Sequence, residues 1–292
     1  MQKRHEEAAA KFRQVLEVNP DSLSVKSALA QVLMELGQLD EAERLLRENL
    51  AKDPAHATTL QRFDALMQQR GRPDEVLRFL EQAIAADPEN PELHFQYGLL
   101  LERRKRDADA IPALRRAAEL RPEHSGARTL LATCLHRRGD VPGARAEWER
   151  TLEVNPWLVS PYLALATMAI EQADHQAAAR ILRQGLSYVP DSHGMINSLA
   201  WLLATSPDDS LRNGPEALEL AKKACRMTQN RDHTYLDTLG AAYAEVGQFT
   251  EAIRAVRAAM ELASQLEDKS SAQQYARRLE LYRQQRPYRE KP

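Results

Sequence analysis

The residues of this sequence best suited to catalysis or metal binding are its two cysteines and eight histidines. Cys134 and His136 form the closest pair, and a thiolate with an imidazole is a common ligand pair for zinc. Side chains two positions apart on a helix point in different directions, so this pair is unsuited to holding one metal ion. Cys225 lies far from Cys134 and has no CxxC spacing, so neither a disulfide framework nor a zinc site is indicated.

Enzymatic motifs are also missing from the sequence. There is no HExxH, no GxSxG and no glycine-rich loop of the kind that binds phosphates. Carboxylates are abundant, but they fall on the predicted solvated faces of helices, where they serve solubility. We therefore expect no catalytic residue, no metal and no cofactor, and we interpret the chain as a protein that is not an enzyme.

The overall composition restricts the class of protein. Of 292 residues, 11 are glycine, 5% are aromatic and 28% are charged, which favours an all-α fold. The formal net charge of −2 removes the attraction to phosphates on which nucleic-acid binding depends. No apolar run reaches about 18 residues, and the N-terminus does not have the pattern of a signal peptide. We expect no nucleic-acid partner, no direct membrane insertion of this segment and, for the chain as given, a cytoplasmic location.

Prolines mark a repeat that organises most of the chain. They recur at intervals of 34 residues, at Pro20, Pro54, Pro88, Pro122, Pro156 and Pro190. A fixed period of this length that ends in a helix breaker indicates stacked supersecondary units. Counting from the third residue after each proline gives repeats that start at 23, 57, 91, 125, 159 and 193, with a seventh near 233.

The columns of this repeat predict how its two helices pack. The seventh position holds a large apolar residue and the eighth, with one exception, a small one, as two closely crossing helices require. Leu29 and Ala30 illustrate the pair in the first repeat, and Leu239 and Gly240 in the last. Glycines at 37, 71, 139 and 247 suit the left-handed residue that follows a helix end.

With these columns the chain resembles the tetratricopeptide-repeat (TPR) family from residue 8 to about residue 262. The segments Leu236-x2-Leu239-Gly240-x2-Tyr243 and Tyr97-Gly98-x2-Leu101 are close to its signature. The resemblance implies an all-α TPR α-solenoid, a right-handed superhelix of antiparallel helix pairs. The predicted parts are a half-repeat helix at 1–22, seven repeats at 23–56, 57–90, 91–124, 125–158, 159–192, 193–232 and 233–262, and a capping helix with a tail at 263–292.

Three departures from the repeat carry expectations of their own. The first helix has the columns of a second helix without its partner, so we expect either an upstream continuation or an exposed apolar side that allows self-association. Asp64 stands where a small residue belongs, so we expect it to face solvent or to pair with an arginine such as Arg62; the alternative is a weak joint in the array. Apart from these departures, we expect Arg278 on the capping helix to point outward.

The third departure is an insertion in the repeat at 193. Residues 205–215 lengthen its inner turn, and the repeat is six residues too long. Together with Leu199-Ala200-Trp201-Leu202-Leu203 before it and Leu279-Glu280-Leu281-Tyr282-Arg283 after it, this end resembles that of certain bacterial TPR proteins. In some of those proteins the repeats follow a membrane-embedded glycosyltransferase. An alternative function is therefore the non-catalytic C-terminal TPR region of a larger enzyme, such as a membrane glycosyltransferase.

The resemblance also implies where a partner binds. The lysine and asparagine with which some family members clamp a terminal carboxylate are absent from the fifth and ninth columns, and the asparagine ladder of the sixth column is absent too. In this family, columns five, nine and twelve of the first helix face the concave side. We expect a protein–protein interaction scaffold or adaptor that binds a peptide or partner protein in this groove, at Phe95, Leu99, Thr129, Thr133, His136, Leu163, Thr167, Ile170, Asn197 and Trp201. Tryptophan is a frequent binding anchor; the alternative for Trp201 is packing beneath the turn at 205–215.

Overall fold

The computed structural model describes residues 2–290, and in this range it contains helices and no strand. Sixteen helices follow one another along the described chain. They are α1 (Gln2–Val18), α2 (Leu23–Glu35), α3 (Leu39–Lys52), α4 (Ala57–Gln69), α5 (Glu75–Ala86), α6 (Pro91–Arg103), α7 (Asp107–Leu120), α8 (Ser125–Arg137), α9 (Val141–Val154), α10 (Val159–Glu171), α11 (His175–Tyr188), α12 (His193–Thr205), α13 (Gly214–Met227), α14 (His233–Glu245), α15 (Phe249–Gln265) and α16 (Lys269–Arg283).

Six of the seven first helices begin where the sequence offers a capping side chain, and α10 begins after Leu158, which makes no such hydrogen bond. Helices α2, α4, α6, α8, α10, α12 and α14 start at residues 23, 57, 91, 125, 159, 193 and 233. Ser22 accepts a hydrogen bond from the Val25 N–H at 3.4 Å, and Asn90 accepts from the Leu93 N–H at 3.3 Å. Such caps satisfy backbone donors that have no partner within the helix. The proline and polar residues at each repeat junction therefore determine where each helix pair begins.

The short turn inside a helix pair contains one left-handed residue, except in the pair α12/α13, where the insertion replaces this turn. Gly37, Gly71 and Gly139 take this conformation with φ of 74°, 70° and 84°. Lys105 and Ala173 occupy the equivalent positions of their repeats with φ of 60° and 58°. A residue with a Cβ atom pays about 1–2 kcal/mol for this conformation. The turn is therefore imposed by the packing of the two helices even where the glycine is missing.

The chain divides into two compact units, Met1–Glu147 and Trp148–Pro292. In the first unit, α2 packs against α3 and α4, and α6 packs against α7 and α8. In the second unit, α12 packs against α13 and α14, and α16 packs against α15. The core of each unit lies between the two helices of a pair and the first helix of the next pair.

Small side chains allow the helices of a pair to approach each other. A Cβ atom built on Gly98 would lie 2.6 Å from Cγ of Leu114, which is closer than carbon atoms approach. The twentieth column is completely buried, with exposures of 0–1% at Ala42, Val76, Ala110, Ala144, Ala178, Ala217 and Ala252. These positions exclude water from the contact between helices, which is the main source of stability in a repeat array.

Asp64 is accommodated by a charged partner from the next repeat. Its carboxylate lies 2.8 Å from the Arg104 guanidinium and also accepts a hydrogen bond from Gln68 at 2.7 Å. The expected pairing with an arginine is present, but the partner is Arg104 instead of Arg62. Arg62 and Asp64 lie on different sides of α4, so they do not meet. The Nε of Arg62 donates to Gln31 at 3.2 Å instead.

Arginines at the ends of the first helices join neighbouring repeats in the first unit. Arg70 pairs with Asp40, Arg104 with Asp74 at 3.3 Å, and Arg137 with Asp107 at 2.9 Å. In each pair the arginine follows its partner by 30 residues. We call these three pairs the arginine ladder. The arginines are 34 and 33 residues apart, close to the period of the repeat, so similar contacts are made at successive junctions.

The two ends of the described chain differ in how they are covered. In α1, Ala9 is buried and Phe12 and Leu16 are half-buried, whereas Val15 is 48% and Val18 89% exposed. At the other end, Arg278 was expected to point outward, and this expectation is wrong. Its side chain is buried against α12 and α14, because Asp237 forms an ion pair with it and an aromatic ring lies under its guanidinium there.

Candidate functional site

The predicted groove residues of the first unit make separate contacts with different parts of the unit. The ring of Phe95 packs on that of His124 with centroids 4.5 Å apart. The hydroxyl of Thr133 donates to the Thr129 carbonyl at 2.9 Å, while the Thr129 hydroxyl is buried without a hydrogen-bond partner. Leu99 borders a small cavity of about 70 Å³, and His136 is half-buried. These five side chains do not share any of the cavities described for residues 2–290.

In the second unit, three predicted groove residues surround one cavity. Ile170, Asn197 and Trp201 line a space of about 340 Å³ on the faces of α10, α12, α14 and α16. We call this space the α12 cavity. Leu163 is half-buried against the core next to it, and Thr167 is exposed. The structure therefore brings Ile170, Asn197 and Trp201 together, although they come from two different repeats.

Several hydrogen-bonding groups face the α12 cavity. The remaining lining residues are Ser198, Thr234, Asp237, Thr238, Ser271, Gln274, Tyr275 and Arg278. Arg278 donates to one carboxylate oxygen of Asp237 at 2.6 Å. The other oxygen, Oδ1, has no hydrogen-bond partner, and neither has Oδ1 of Asn197. Two buried acceptors beside the cavity therefore lack the hydrogen bond that such groups usually make.

The ion pair in this cavity is unusual for its burial. Side chains of Asp237 and Arg278 are 6% and 10% exposed. Burial raises the pKa of Asp237 to about 6, while the guanidinium beside it acts in the opposite direction. The guanidinium also lies over the rings of Trp201 and Tyr288, at 4.8 Å and 4.7 Å from their centroids. Cation–π contacts of this kind are strengthened when water is excluded.

Trp201 is covered from a direction that the sequence did not indicate. Its indole N–H donates to the Glu290 carboxylate at 2.7 Å, and its ring lies 5.8 Å from that of Tyr288. Besides Arg278, Trp201 thus contacts the end of the described chain, and its hydrogen-bond partner lies 89 residues away. No repeat column connects these positions, because Glu290 lies beyond the last helix.

A larger cavity in the first unit was not predicted from the sequence. A space of about 660 Å³ lies between α2 and α4, lined by Gln31, Met34, Glu35, Thr58, Gln61, Arg62, Ala65 and Gln69. The predicted groove was rich in apolar side chains, whereas this set is mostly polar. Arg62 is the residue of this set that stands out. Its guanidinium is partly buried without a carboxylate partner, and this burial lowers its pKa.

Chemically reactive groups do not converge in the described chain. Burial raises the pKa of both Cys134 and Cys225 to about 11, so each thiol is protonated near neutral pH. Within residues 2–290, no three histidine, cysteine, aspartate or glutamate side chains are placed to hold a metal ion. In the same range, no helix has the length and apolar character needed to cross a membrane.

Comparison with known proteins places these features in a family. Two models of the tetratricopeptide repeat match the sequence, one at residues 1–63 and the other at residues 60–122 and 108–156. No curated protein sequence matches the chain.

Among solved structures, the chain is similar to yeast Tom70, with a TM-score of 0.60 and 18% identity over 97% of this chain and 60% of that one. It is also similar to the APC/C hetero-tetramer Cut9-Hcn1, with a TM-score of 0.56 and 15% identity over 95% of this chain and 53% of the other. A tetratricopeptide repeat protein from Parabacteroides merdae gives 0.51 and 16% over 90% and 99%.

These likenesses concern the fold, because the identities are low. The chain spans 60% and 53% of the length of the first two structures. The predicted all-α TPR solenoid is confirmed by the helix pairs and by these matches. With the 34-residue columns, the pairs that they form and the family models matched across residues 1–156, the chain belongs to the tetratricopeptide-repeat family.

Proposed function

We propose that the chain is a protein-interaction scaffold that binds a segment of a partner protein at the α12 cavity. The observation that carries this proposal is the convergence of Ile170, Asn197 and Trp201 on one cavity that retains unpartnered acceptors. Cut9, whose fold is similar, is part of a hetero-tetramer with Hcn1. Family membership agrees with a binding role, since tetratricopeptide repeats generally serve as non-catalytic scaffolds.

The composition of the α12 cavity suits a side chain with an apolar stem and a donor at its end. Ile170 and the Trp201 ring provide apolar surface, while Asn197 and Asp237 provide acceptors. A buried acceptor without a partner is unfavourable by about 1–3 kcal/mol, so a ligand that supplies the missing hydrogen gains affinity. The cavity of about 340 Å³ lies at the lower end of the usual range of ligand sites. We therefore expect one or two side chains of a partner to enter it.

A peptide library displayed on phage tests this proposal, because it samples many possible partner segments at once. Peptides selected on the full chain are measured by calorimetry against the Ile170→Glu variant, which places a charge in the cavity. The matched control is Gln273→Glu, which adds the same charge at an exposed position of α16. We expect at least a tenfold loss of affinity for Ile170→Glu, about 1.4 kcal/mol, and no change for the control.

Two results contradict the proposal. One is a selected peptide that binds both variants and the parent chain equally, which would assign binding to another surface such as the cavity between α2 and α4. The other is a library that yields no specific peptide for the full chain. Circular dichroism of both variants shows whether the helices remain formed.

The rest of the predicted groove, at Phe95, Leu99, Thr129, Thr133, His136, Leu163 and Thr167, stays a prediction. So does the alternative that these repeats belong to a larger enzyme. The coding sequence upstream of the Met1 codon tests this alternative, because an open frame that encodes membrane-spanning helices and a glycosyltransferase module would support it.

A further inference from the structure

The end of the described chain occupies the surface beside the α12 cavity. Residues 286–290 follow α16 without regular secondary structure, and we call them the tail. Residues 283–286 are exposed, whereas residues 287–290 are half-buried. The tail therefore leaves α16 through solvent and then returns to the protein surface.

Each of the last three residues of the tail has its own anchor. The Tyr288 ring lies against Trp201 and under the guanidinium of Arg278. Arg289 pairs with Glu245 at 2.6 Å. Glu290 accepts a hydrogen bond from the Trp201 indole at 2.7 Å. An aromatic, a basic and an acidic side chain are thus recognised in succession.

The backbone at the end of α12 takes part as well. The Glu290 N–H donates to the Thr205 carbonyl at 2.9 Å, and Arg289 donates to the Ala204 carbonyl at 3.4 Å. The last carbonyls of a helix have no partner within it, and they carry partial negative charge that favours a nearby cation. The insertion after α12 leaves these two carbonyls accessible to a separate segment.

These contacts have the composition of a peptide complex. A backbone hydrogen bond fixes the direction of the segment, and three side-chain anchors from α12, α14 and α16 read its sequence. The tail is joined to α16 only through exposed residues, so its release requires no change within the helix. We propose that these anchors form a peptide-binding site whose resident ligand is the chain's own tail, and which a partner segment with consecutive aromatic, basic and acidic residues occupies after displacing it.

This proposal is independent of the α12 cavity as a ligand site, although both use Trp201 and Arg278. It is tested with a chain that ends at Gln285 and a synthetic peptide of the sequence Arg-Pro-Tyr-Arg-Glu, blocked at both ends. Calorimetry should show saturable binding of this peptide to the shortened chain. A tethered tail acts as a competitor at an effective concentration of about a millimolar, so the full chain should bind the same peptide more weakly, by about tenfold when the Kd for the shortened chain is about 0.1 mM. A peptide with alanine in place of its tyrosine and glutamate should bind neither chain.

The proposal is overturned if the folded, shortened chain does not bind the peptide, or if the full chain binds it equally well. If the shortened chain loses its helices, the full chain with Tyr288→Ala and Glu290→Ala replaces it, since these changes release the tail and keep the chain length. That variant must bind the peptide more tightly than the parent chain; equal affinity rejects the site. Library peptides that bind through Ile170 while the tail peptide fails would reject only the tail site.

Discussion

Neighbouring repeats are joined by different kinds of charged contact in the two units. In the first unit two pairs of the arginine ladder have exposed acidic partners, since Asp40 and Asp74 are 98% and 78% exposed, whereas Asp107 in the third pair is 12% exposed. In the second unit the pair formed by Asp237 and Arg278 is buried. Two further polar contacts there join first helices: His193 Nδ1 lies 2.8 Å from the Tyr235 hydroxyl, and His233 Nδ1 lies 2.7 Å from that of Tyr275.

This difference separates a surface that tolerates change from one that does not. Exposed ion pairs contribute about 0–1 kcal/mol each, because water already solvates their charges. Breaking a buried pair by removing one partner is destabilising by about 3–5 kcal/mol, because the remaining charge is left without compensation. Replacement of an exposed pair in the first unit should therefore change the stability little, whereas replacement of the buried pair in the second unit should disturb the α12 cavity.

The largest effect is expected at Arg278. Arg278→Ala leaves the Asp237 carboxylate buried without its partner, and we expect a loss of about 3–5 kcal/mol in the free energy of unfolding. Urea denaturation followed by circular dichroism measures this loss. Arg277→Ala, one position away and exposed, serves as the control and should change the stability by less than about 0.5 kcal/mol. Equal effects of the two changes would remove the distinction between buried and exposed charges.

A smaller effect is expected at Asp64, which lies in the first unit but is only 14% exposed. Asp64→Ala removes a half-buried partner of Arg104, and we expect a loss of about 1–2 kcal/mol. Asp74→Ala removes the exposed partner of the same arginine and should cost about 0.5 kcal/mol or less. Thermal unfolding of both variants compares them directly. A rise in melting temperature for Asp64→Ala would instead identify Asp64 as a misfit in its repeat.

The dependence on pH provides a third test, at the N-cap of α8. His124 Nδ1 accepts a hydrogen bond from the Ala127 N–H at 3.3 Å, which requires the neutral ring. Burial lowers the pKa of His124, although Glu92, 3.6 Å away, acts in the opposite direction, and Arg121 lowers it further. A lowered pKa in the folded state means that the stabilisation is present above the unfolded pKa of about 6.5 and is lost as the pH falls through the folded value.

We expect this loss to amount to about 1 kcal/mol, the usual contribution of a helix cap. Asn is a capping residue that does not titrate, so the His124→Asn variant should lose less stability between pH 7 and pH 5 than the parent chain. The difference between the two slopes, measured by urea denaturation at each pH, isolates His124 from the other titrating groups. Parallel slopes would show that the cap is insensitive to protonation.

The smallest effect is a gain, and it is expected in both units alike. Lys105→Gly and Ala173→Gly remove the steric strain of a side chain on a left-handed residue at the turn of a helix pair. We expect each to stabilise the protein by about 0.5–1 kcal/mol, since glycine adopts this conformation without steric cost. Melting temperatures of the two variants test whether the turns obey the same rule in both units. Gln172→Gly changes a residue with negative φ and should destabilise.

The 34-residue period, the repeat columns and the resemblance to the tetratricopeptide-repeat family were sufficient to predict the fold, and local features account for where its helices begin and end. Capping residues and left-handed turns lie within a few positions of the helix ends that they determine, as Ser22, Asn90 and Gly37 show. The pairing of Asp64 was predicted in kind but with the wrong arginine. The residue chosen was near in sequence, whereas the actual partner comes from the next repeat, 40 residues away.

The candidate site was less accessible to sequence analysis. Ile170, Asn197 and Trp201 were named from the family's columns, and these columns place them on equivalent faces of α10 and α12. Arg278 was predicted to face solvent because a charged residue on a terminal helix usually does. Its burial depends on Asp237 and on the rings of Trp201 and Tyr288, which come from other elements. Nothing in the spacing of these residues indicates that they meet.

The return of the tail to α12 also bears on the order in which the protein forms during synthesis. Contacts between adjacent helices are made as soon as both have been synthesised, because little chain separates them. The bond between Trp201 and Glu290 joins residues 89 positions apart. A ribosome that has completed α12 must therefore add α13 to α16 and the tail before this tryptophan is covered. Until then Trp201 and the last carbonyls of α12 lack their contacts with the tail on the nascent chain.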